Sequence, residues 1–261
     1  MKTMIRVVSL LWLFAVYPVL ATNPASGPNN VYLEQIGNSN TITIEQVGGT
    51  NNIGGVNGSI AIDQNNITTW TPDAPSGLNY ATVTGSNNEL TITQHGLIDW
   101  ATYNIFGDHN TYTSLITGNN NKTKLTIGDV SDPTTSSSYN TVTETVIGNS
   151  NTILQNIIGN YITSGITITG GSNQITQQLK SSSGTSTISI TGDSNVLFTE
   201  QTDSGVHNLT QNITGSYNSI TTQQQGNNNT DVNLVTTGSN NTITLRTSST
   251  TIVNPQTAIS R

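Results

Sequence analysis

Short stretches of alternating apolar and polar residues recur along most of the chain. In the segment from Thr41 to Gln46, for example, Ile42 and Ile44 alternate with Thr and Glu. A period of two residues, together with many β-branched side chains, is typical of a β-strand that buries one face. We therefore predict an all-β fold built from many short strands.

A step of eleven residues separates these stretches. Glycines open successive copies at 37 and 48, at 85, 96, 107 and 118, at 148, 159 and 170, and at 215 and 226. In the best copies Asn follows three positions later. Because Gly and Asn adopt positive φ most easily, Gly-x-x-Asn predicts a tight corner before each strand. The predicted corner residues are Gly37, Asn40, Gly48, Gly85, Asn88, Gly96, Gly107, Asn110, Gly118, Asn121, Gly148, Asn151, Gly170, Asn173, Gly215 and Asn218.

The constant step predicts a β-solenoid. Two eleven-residue half-repeats form a strand-turn-strand-turn layer of about 22 residues, which stacks on the next layer at roughly 4.8 Å. The competing fold is an antiparallel sandwich, whose strands do not keep a constant step. We expect one solenoid domain over 22–249, with corner loops near 49–54, 66–73 and 129–136 and a C-terminal tail over 250–261.

The segment from Met1 to Ala21 is typical of a signal peptide. Lys2 and Arg6 precede an apolar stretch from Val7 to Leu20, and Ala21 offers a small residue for cleavage. The apolar stretch is shorter than the roughly 20 residues that a membrane-spanning helix needs. We therefore expect a secreted protein.

Composition argues against several functions. The net charge is −7, which disfavours nucleic acid as a partner, and there is no Cys for disulfides or thiolate chemistry. His95, His109 and His207 all fall at predicted corners, where we interpret them as exposed turn residues. No Gly-x-Ser-x-Gly elbow, phosphate loop or His-Glu-x-x-His motif occurs. We expect no enzyme activity, cofactor, metal site or small-molecule substrate.

The ninth position after each lead residue changes character along the chain. It is aliphatic in the middle and amide near both ends, where it is occupied by Gln35, Gln46, Gln64, Gln94, Gln201 and Gln224. Gln side chains that stack in successive layers hydrogen-bond to one another, which favours the stacking of identical layers. One hypothesis is that the terminal layers form amide ladders and are the polymerising surfaces; the alternative is that thin ends simply tolerate polar residues.

Three inward positions are unusual. Glu144 falls on the inward face, where an unpaired charge is unfavourable, so its copy is either locally out of register or next to a polar partner. Tyr103 and Tyr112 fall inward in successive copies and are expected to face each other.

The segment from Gln35 to Gly48 resembles the repeat of the curlin family, the subunits of curli amyloid fibres. It matches the pattern Gln-x-Gly-x-x-Asn-x-Ala-x-x-x-Gln at every position except Ile42, and the copies at Gly96 and Gly226 match in part. The resemblance implies export through an outer-membrane pore, nucleated self-assembly on the cell surface, and a role in biofilm matrix and adhesion. The expected partners are further copies of the chain, a nucleator subunit and the secretion pore.

The outward face suggests another function. Thr pairs occupy the fourth and sixth positions of several copies, and regular Thr ranks on a β-solenoid resemble those of ice-binding proteins. Lys122/Lys124, Val196/Phe198 and Asp231/Asn233 interrupt the ranks in sequence order. An adhesin or phage fibre of similar build is a further alternative. Trp70 and Trp100 are candidates for stacking on a sugar or partner, but isolated exposed aromatics are common, and we favour the interpretation of both as ordinary surface residues. The pairs are Thr41/Thr43, Thr111/Thr113, Thr141/Thr143, Thr185/Thr187 and Thr242/Thr244.

Overall fold

The computed structural model describes residues 33–46, 81–96, 100–129 and 137–248, together with short strands at 19–21, 60–61, 71–72 and 256–259. All regular structure in these ranges is β. The strands are β1 (Val19–Ala21), β2 (Leu33–Ile36), β3 (Thr41–Gln46), β4 (Ile60–Ala61), β5 (Thr71–Pro72), β6 (Ala81–Thr84), β7 (Glu89–Ile92), β8 (Trp100–Phe106), β9 (Thr111–Thr113), β10 (Lys122–Ile127), β11 (Thr141–Thr143), β12 (Thr152–Ile158), β13 (Ile162–Thr163), β14 (Ile168–Thr169), β15 (Gln174–Thr191), β16 (Val196–Thr214), β17 (Ser219–Gln225), β18 (Thr230–Thr237), β19 (Thr242–Ser248) and β20 (Gln256–Ile259).

Eighteen of these strands form one parallel ladder that coils around a core. The coil length is visible in residues that stack on one another. Asn151 and Asn173 lie in adjacent coils and are 22 positions apart, and the later step from Asn195 to Asn218 is 23 positions. The predicted all-β solenoid is confirmed, and its layers are close to the predicted length.

Each coil contributes to two sheets. The first sheet stacks β2, β6, β8, β10, β12, the first half of β15, the first half of β16, β17 and β19. The second sheet stacks β1, β3, β7, β9, β11, β13 and β14, the second halves of β15 and β16, β18 and β20. Alternate eleven-residue copies therefore lie on opposite sides of the solenoid.

Columns of aliphatic side chains fill the space between the sheets. In the first sheet Val83, Ile105, Ile127, Ile157 and Leu179 stack in register, and each is fully buried. The alternating pattern places such residues inward because successive side chains of a strand point to opposite faces. Stacking then gives each one a like neighbour above and below.

The first described coil departs from the eleven-residue frame. That frame places a copy that begins at Gly55 between the copies that contain β3 and β6. The pairing contradicts this, because Leu33 lies beside Ala81 and Thr41 lies beside Glu89, which leaves no layer between them. In the intervening segment, β4 and β5 form a separate antiparallel pair.

Several sequence predictions fall on parts of the chain that the structure does not describe. The predicted loops at 49–54 and 66–73 lie largely outside the described residues, and so do residues 130–136 of the third loop. Trp70 and the side chain of Trp100 are outside them as well.

Candidate functional site: stacked corners and coil ends

Most of the described corners combine a glycine with a left-handed residue. At the corner that starts with Gly148, φ is 135° for that residue and 59° for Ser150. A Cβ atom on Gly148 would collide with the carbonyl oxygen of Gly170 in the next coil, so glycine is needed for space as well as for conformation. The other described glycines of the predicted set with positive φ, between 119° and 137°, are Gly37, Gly85, Gly107, Gly118, Gly170 and Gly215.

Two predicted corner glycines differ from this description. Gly96 lies in a bend, and Gly48 lies outside the described residues. The role expected of Asn also changes, since the residue with left-handed φ is the one before Asn, such as Ser39 before Asn40 or Asn87 before Asn88.

The corner Asn residues are buried and form ladders instead. Asn173 Nδ2 donates to Asn151 Oδ1 at 3.1 Å and to Gly192 O at 2.9 Å. Its Oδ1 accepts from the backbone N and the Nδ2 of Asn195, each at 3.0 Å. A buried amide is thereby satisfied through both neighbouring coils, which ties each corner to the next.

The solenoid contains two such ladders. One consists of Asn40, Asn88, Asn110 and Asn140, and it ends where Ile162 N donates to Asn140 Oδ1 at 2.8 Å. The other consists of Asn121, Asn151, Asn173, Asn195, Asn218 and Asn241.

The second ladder reaches the C-terminal coil with an acceptor left over. Asn241 donates through its backbone N and Nδ2 to Asn218 Oδ1, at 3.0 and 2.9 Å. Its own Oδ1 accepts no hydrogen bond from the residues that the structure describes. In every inner coil of this ladder the corresponding oxygen is bonded to the coil that follows.

The hydrophobic column also ends incompletely at β19. Ile243 and Leu245 point inward and pack on the core, yet both are only half-buried. Within the described residues β19 pairs with β17 alone, so one of its edges has no strand partner. This end of the solenoid therefore presents unpaired backbone groups beside accessible apolar side chains.

The predicted amide ladder is realised at one place. Gln201 Nε2 donates to Gln224 Oε1 at 2.7 Å, and both residues are fully buried. Gln224 is not on the outermost layer, because Thr247 of β19 stacks over it. The expectation that Gln224 forms a terminal surface is therefore wrong.

The other predicted amides do not continue this ladder. Gln35 pairs through its backbone with Val83. Gln94 is fully buried, Gln46 pairs through its backbone with Ala21 of β1, and Gln64 lies outside the described residues.

A polar cluster interrupts the apolar core around Glu144. Its Oε2 accepts hydrogen bonds from Tyr112 Oη and Gln155 Nε2, each at 3.2 Å. Ser164 Oγ lies 3.1 Å from Gln155 Oε1 and 3.0 Å from Gln177 Oε1, which extends the cluster across coils. Of the two possibilities stated above, the polar partner is confirmed, because Glu144 stays in register through its backbone bond to Thr113 O.

Burial raises the pKa of Glu144 to about 7, and the hydrogen bonds from Tyr112 and Gln155 offset only part of this shift. The pKa of Tyr112 is also raised well above its usual value, by burial first and then by the charge of Glu144. The expected contact of Tyr103 with Tyr112 is confirmed, with ring centroids 6.4 Å apart.

The three histidines do not share one environment. His95 and His109 are exposed, as expected. His207 is fully buried in β16, with Nδ1 2.7 Å from Thr230 Oγ1 and Nε2 2.8 Å from Thr202 O. The interpretation of His207 as an exposed turn residue is wrong, because His207 stacks between Gly184 and Thr230 at a corner position that is buried in each of these coils.

An exposed aromatic column was missed from sequence. His109, Tyr139 and Tyr161 occupy the left-handed position of three stacked corners. Their ring centroids are 4.7 and 5.1 Å apart, and both pairs are nearly parallel, with interplanar angles of 7°. The available signal was the spacing, since these aromatics recur at the same corner of successive coils.

In the part of the chain that the structure describes, no helix is long and apolar enough to cross a membrane. No group of three or more His, Cys, Asp or Glu side chains within that part could hold a metal ion.

Comparison with curated proteins gave no match, and comparison with solved structures gave none either. The family model of the curlin-associated repeat matches residues 37–96. This segment includes β3 and β7, which stack directly on each other in the second sheet. Both the repeat and the solenoid are structural rather than enzymatic types. The match shows that residues 37–96 of this chain are similar to the curlin-associated repeat.

Proposed function

We propose that this chain is a secreted structural subunit that self-assembles end to end into extracellular, curli-like amyloid fibres. The observation that carries the proposal is the open C-terminal coil. There, three features lie together: an edge of β19 that no other described strand pairs with, the half-buried Ile243 and Leu245, and an Asn241 Oδ1 that accepts no hydrogen bond from a described residue. Each is a group that every inner coil uses to bind the coil after it.

The N-terminal coil offers the complementary edge. Within the described residues β2 pairs only with β6, so its other edge has no strand partner. Since the whole ladder is parallel and in register, β2 of a second copy can follow β19 as β19 follows β17. The partner we propose is therefore another copy of the same chain.

Removal of the predicted signal peptide is consistent with end-to-end assembly. The edge of β3 at the same end is paired with β1, which lies at the very end of the predicted signal peptide. Cleavage after Ala21 removes β1 and opens that edge. Assembly is thereby linked to export, in keeping with a role in biofilm matrix and adhesion. The nucleator subunit and the outer-membrane pore remain expectations from the resemblance.

A charge at the open end tests the proposal. Leu245→Lys places an ammonium group on the inward face of β19, where it opposes stacking by a further coil. We expect seeded fibre growth, followed by dye binding and electron microscopy, to slow strongly while circular dichroism of the monomer is unchanged. Thr244→Lys puts the same charge on the outward face of β19 and serves as the matched control. Equal growth of the Leu245 variant and the wild type would contradict the proposal.

A further inference from the structure

The two sheets separate most of the outward threonine pairs from the residues that interrupt them in sequence. Of the three interruptions seen in sequence order, Lys122/Lys124 and Val196/Phe198 lie on β10 and the first half of β16 and therefore belong to the first sheet. The third, Asp231/Asn233, lies on β18 in the second sheet, beyond Thr185 and Thr187. The Thr pairs at 111/113, 141/143 and 185/187 all belong to the second sheet. The threonine ranks are interrupted along the sequence but are nearly continuous on the surface of the second sheet.

One column of this face consists of first members of the pairs. Thr111 lies beside Thr141, Thr141 beside Thr163, and Thr163 beside Thr185. Of these four, Thr111 is partly exposed and the other three are exposed. Four successive coils therefore present a threonine at the same place.

A second column runs parallel to the first, two positions further along each strand. Thr91, Thr113 and Thr143 stack in register, and Thr187 lies beside Thr210 further along. The gap between these segments is Gly165, which lies against Thr187. We call the two columns, from Thr111 to Thr187, the threonine face.

The backbone makes this face a regular lattice. Neighbouring coils are about 4.8 Å apart, and alternate residues of a strand are about 6.6 Å apart. Thr side chains are stiff at χ1, so their hydroxyl and methyl groups repeat with the backbone rather than independently. Among the described residues of the two columns, charges lie beyond the ends of the first column, where Glu89 lies next to Thr111 and Asp231 follows Asn208.

We propose that the threonine face binds ice. An uncharged array of hydroxyl and methyl groups that repeats in two dimensions best fits a partner that is itself a lattice with repeats of a few ångströms. Methyl groups hold weakly bound water between them, and the hydroxyls anchor that water by hydrogen bonds, so an ordered layer can merge with a crystal plane. A protein ligand would instead call for charges or pockets, which the two columns lack among the described residues. The stacked rings of His109, Tyr139 and Tyr161 border the first column at its corner and are not part of the two threonine columns.

Substitutions in the full chain test the proposal. Thr143→Lys disrupts the centre of the face at an exposed site, and we expect loss of ice-recrystallisation inhibition and of partitioning into slowly grown ice. Thr221→Lys adds the same charge to the outward side of β17 in the first sheet and should leave both readouts unchanged. Thermal melting by circular dichroism checks that all variants are folded.

Gly165→Thr provides a gain-of-function arm. A Cβ at Gly165 meets its nearest neighbours at 3.5 Å, which is ordinary van der Waals contact, so the position accepts a β-carbon. A threonine there would complete the second column. We expect stronger ice-recrystallisation inhibition than in the wild type. The proposal is overturned if the wild-type chain partitions into ice no better than an unrelated protein, or if Thr143→Lys and Thr221→Lys weaken it equally. Altered bundling of fibres by Thr143→Lys without ice binding would identify a lateral contact instead, and would also overturn it.

Discussion

Tyr112 donates a hydrogen bond to Glu144 inside the solenoid, with 3.2 Å between Oη and Oε2. The two residues lie on adjacent coils of the second sheet and face a core whose buried cluster is largely aliphatic. Their pairing keeps a carboxyl group in the core, and its titration makes the stability of the fold depend on pH.

The first prediction concerns that titration. The pKa of Glu144 is raised from 4.5 to about 7, so between these values the folded chain holds a proton that the unfolded chain has lost. This group's contribution to the free energy of unfolding is greatest below about pH 4.5, falls as the pH rises to about 7, and is then constant. The difference between the two pKa values corresponds to roughly 3 kcal/mol. Urea denaturation of soluble monomer across this range measures the slope.

Glu144→Gln removes the titrating group while keeping a polar acceptor for Tyr112. We expect the variant to be more stable than the wild type above about pH 7 and to lose most of the slope between about pH 5 and pH 7. Glu200→Gln, at an outward position of β16, is the matched control and should keep the slope. An unchanged slope in the Glu144 variant would show that this carboxyl is not buried as described.

The second prediction concerns the asparagine ladder. Asn195→Ala removes hydrogen bonds to Asn173, Gly215 and Asn218 and leaves the backbone N of Asn218 without its acceptor. Because Asn218 is buried, we expect the free energy of unfolding to fall by about 2–4 kcal/mol. Asn241→Ala, at the half-buried end of the same ladder, should reduce it by less than about 1 kcal/mol. Chemical denaturation of the two variants measures the difference, and equal losses would mean that the ladder does not link the corners.

The third prediction compares two glycines. Gly148→Ala places a methyl group on a residue with positive φ and against the carbonyl oxygen of Gly170. We therefore expect the free energy of unfolding to fall by about 1–3 kcal/mol. Gly165→Ala meets only ordinary contacts and should leave the melting temperature nearly unchanged. Thermal unfolding followed at a β-sheet wavelength distinguishes the two. Similar melting temperatures would argue against the stacked corner.

The fourth prediction concerns processing. A chain that begins at Val19 retains β1, whereas a chain that begins at Thr22 lacks it and leaves the edge of β3 open. We expect slower seeded growth for the longer chain, measured on matched seeds with length changes recorded at each fibre end. Leu20→Pro in the longer chain, which removes a backbone donor from β1, should restore the faster rate. Equal growth rates for the longer chain, the shorter chain and the Leu20 variant would show that removal of β1 does not control assembly.

The fold could be predicted from sequence because its signals are local. The corner glycine and the alternation are visible within one copy, and the eleven-residue step and the approximate layer length are visible from a few consecutive copies. The roles of Asn195 and of Gly148 toward Gly170 depend on the neighbouring coil, which is a full turn of the solenoid away along the chain. Because the sequence shows only the local conformational preference of Asn, it predicted Asn as a turn residue and not as a member of a hydrogen-bonded ladder.

The errors come from features that a single copy does not show. The copy at Gly55 keeps the frame, yet the pairing of Leu33 with Ala81 leaves no layer for it. His207 falls at a predicted corner, but this corner position is buried, as it is for Asn140 and Ile162 in earlier coils. The threonine face was hidden because successive copies alternate between sheets, so Lys122 and Thr111 are neighbours in the repeat but lie on opposite sides of the solenoid.

Register in this solenoid is set from corner to corner, not by residue number. Asn121 and Asn151 stack in adjacent coils although they are 30 positions apart, whereas Asn151 and Asn173 are 22 positions apart. The extra length leaves the ladder undisturbed, so the corner after Ile127 tolerates added sequence. A peptide grafted between residues 129 and 136 would accordingly be displayed once per subunit, and a filament of such subunits would become a linear scaffold with evenly spaced cargo.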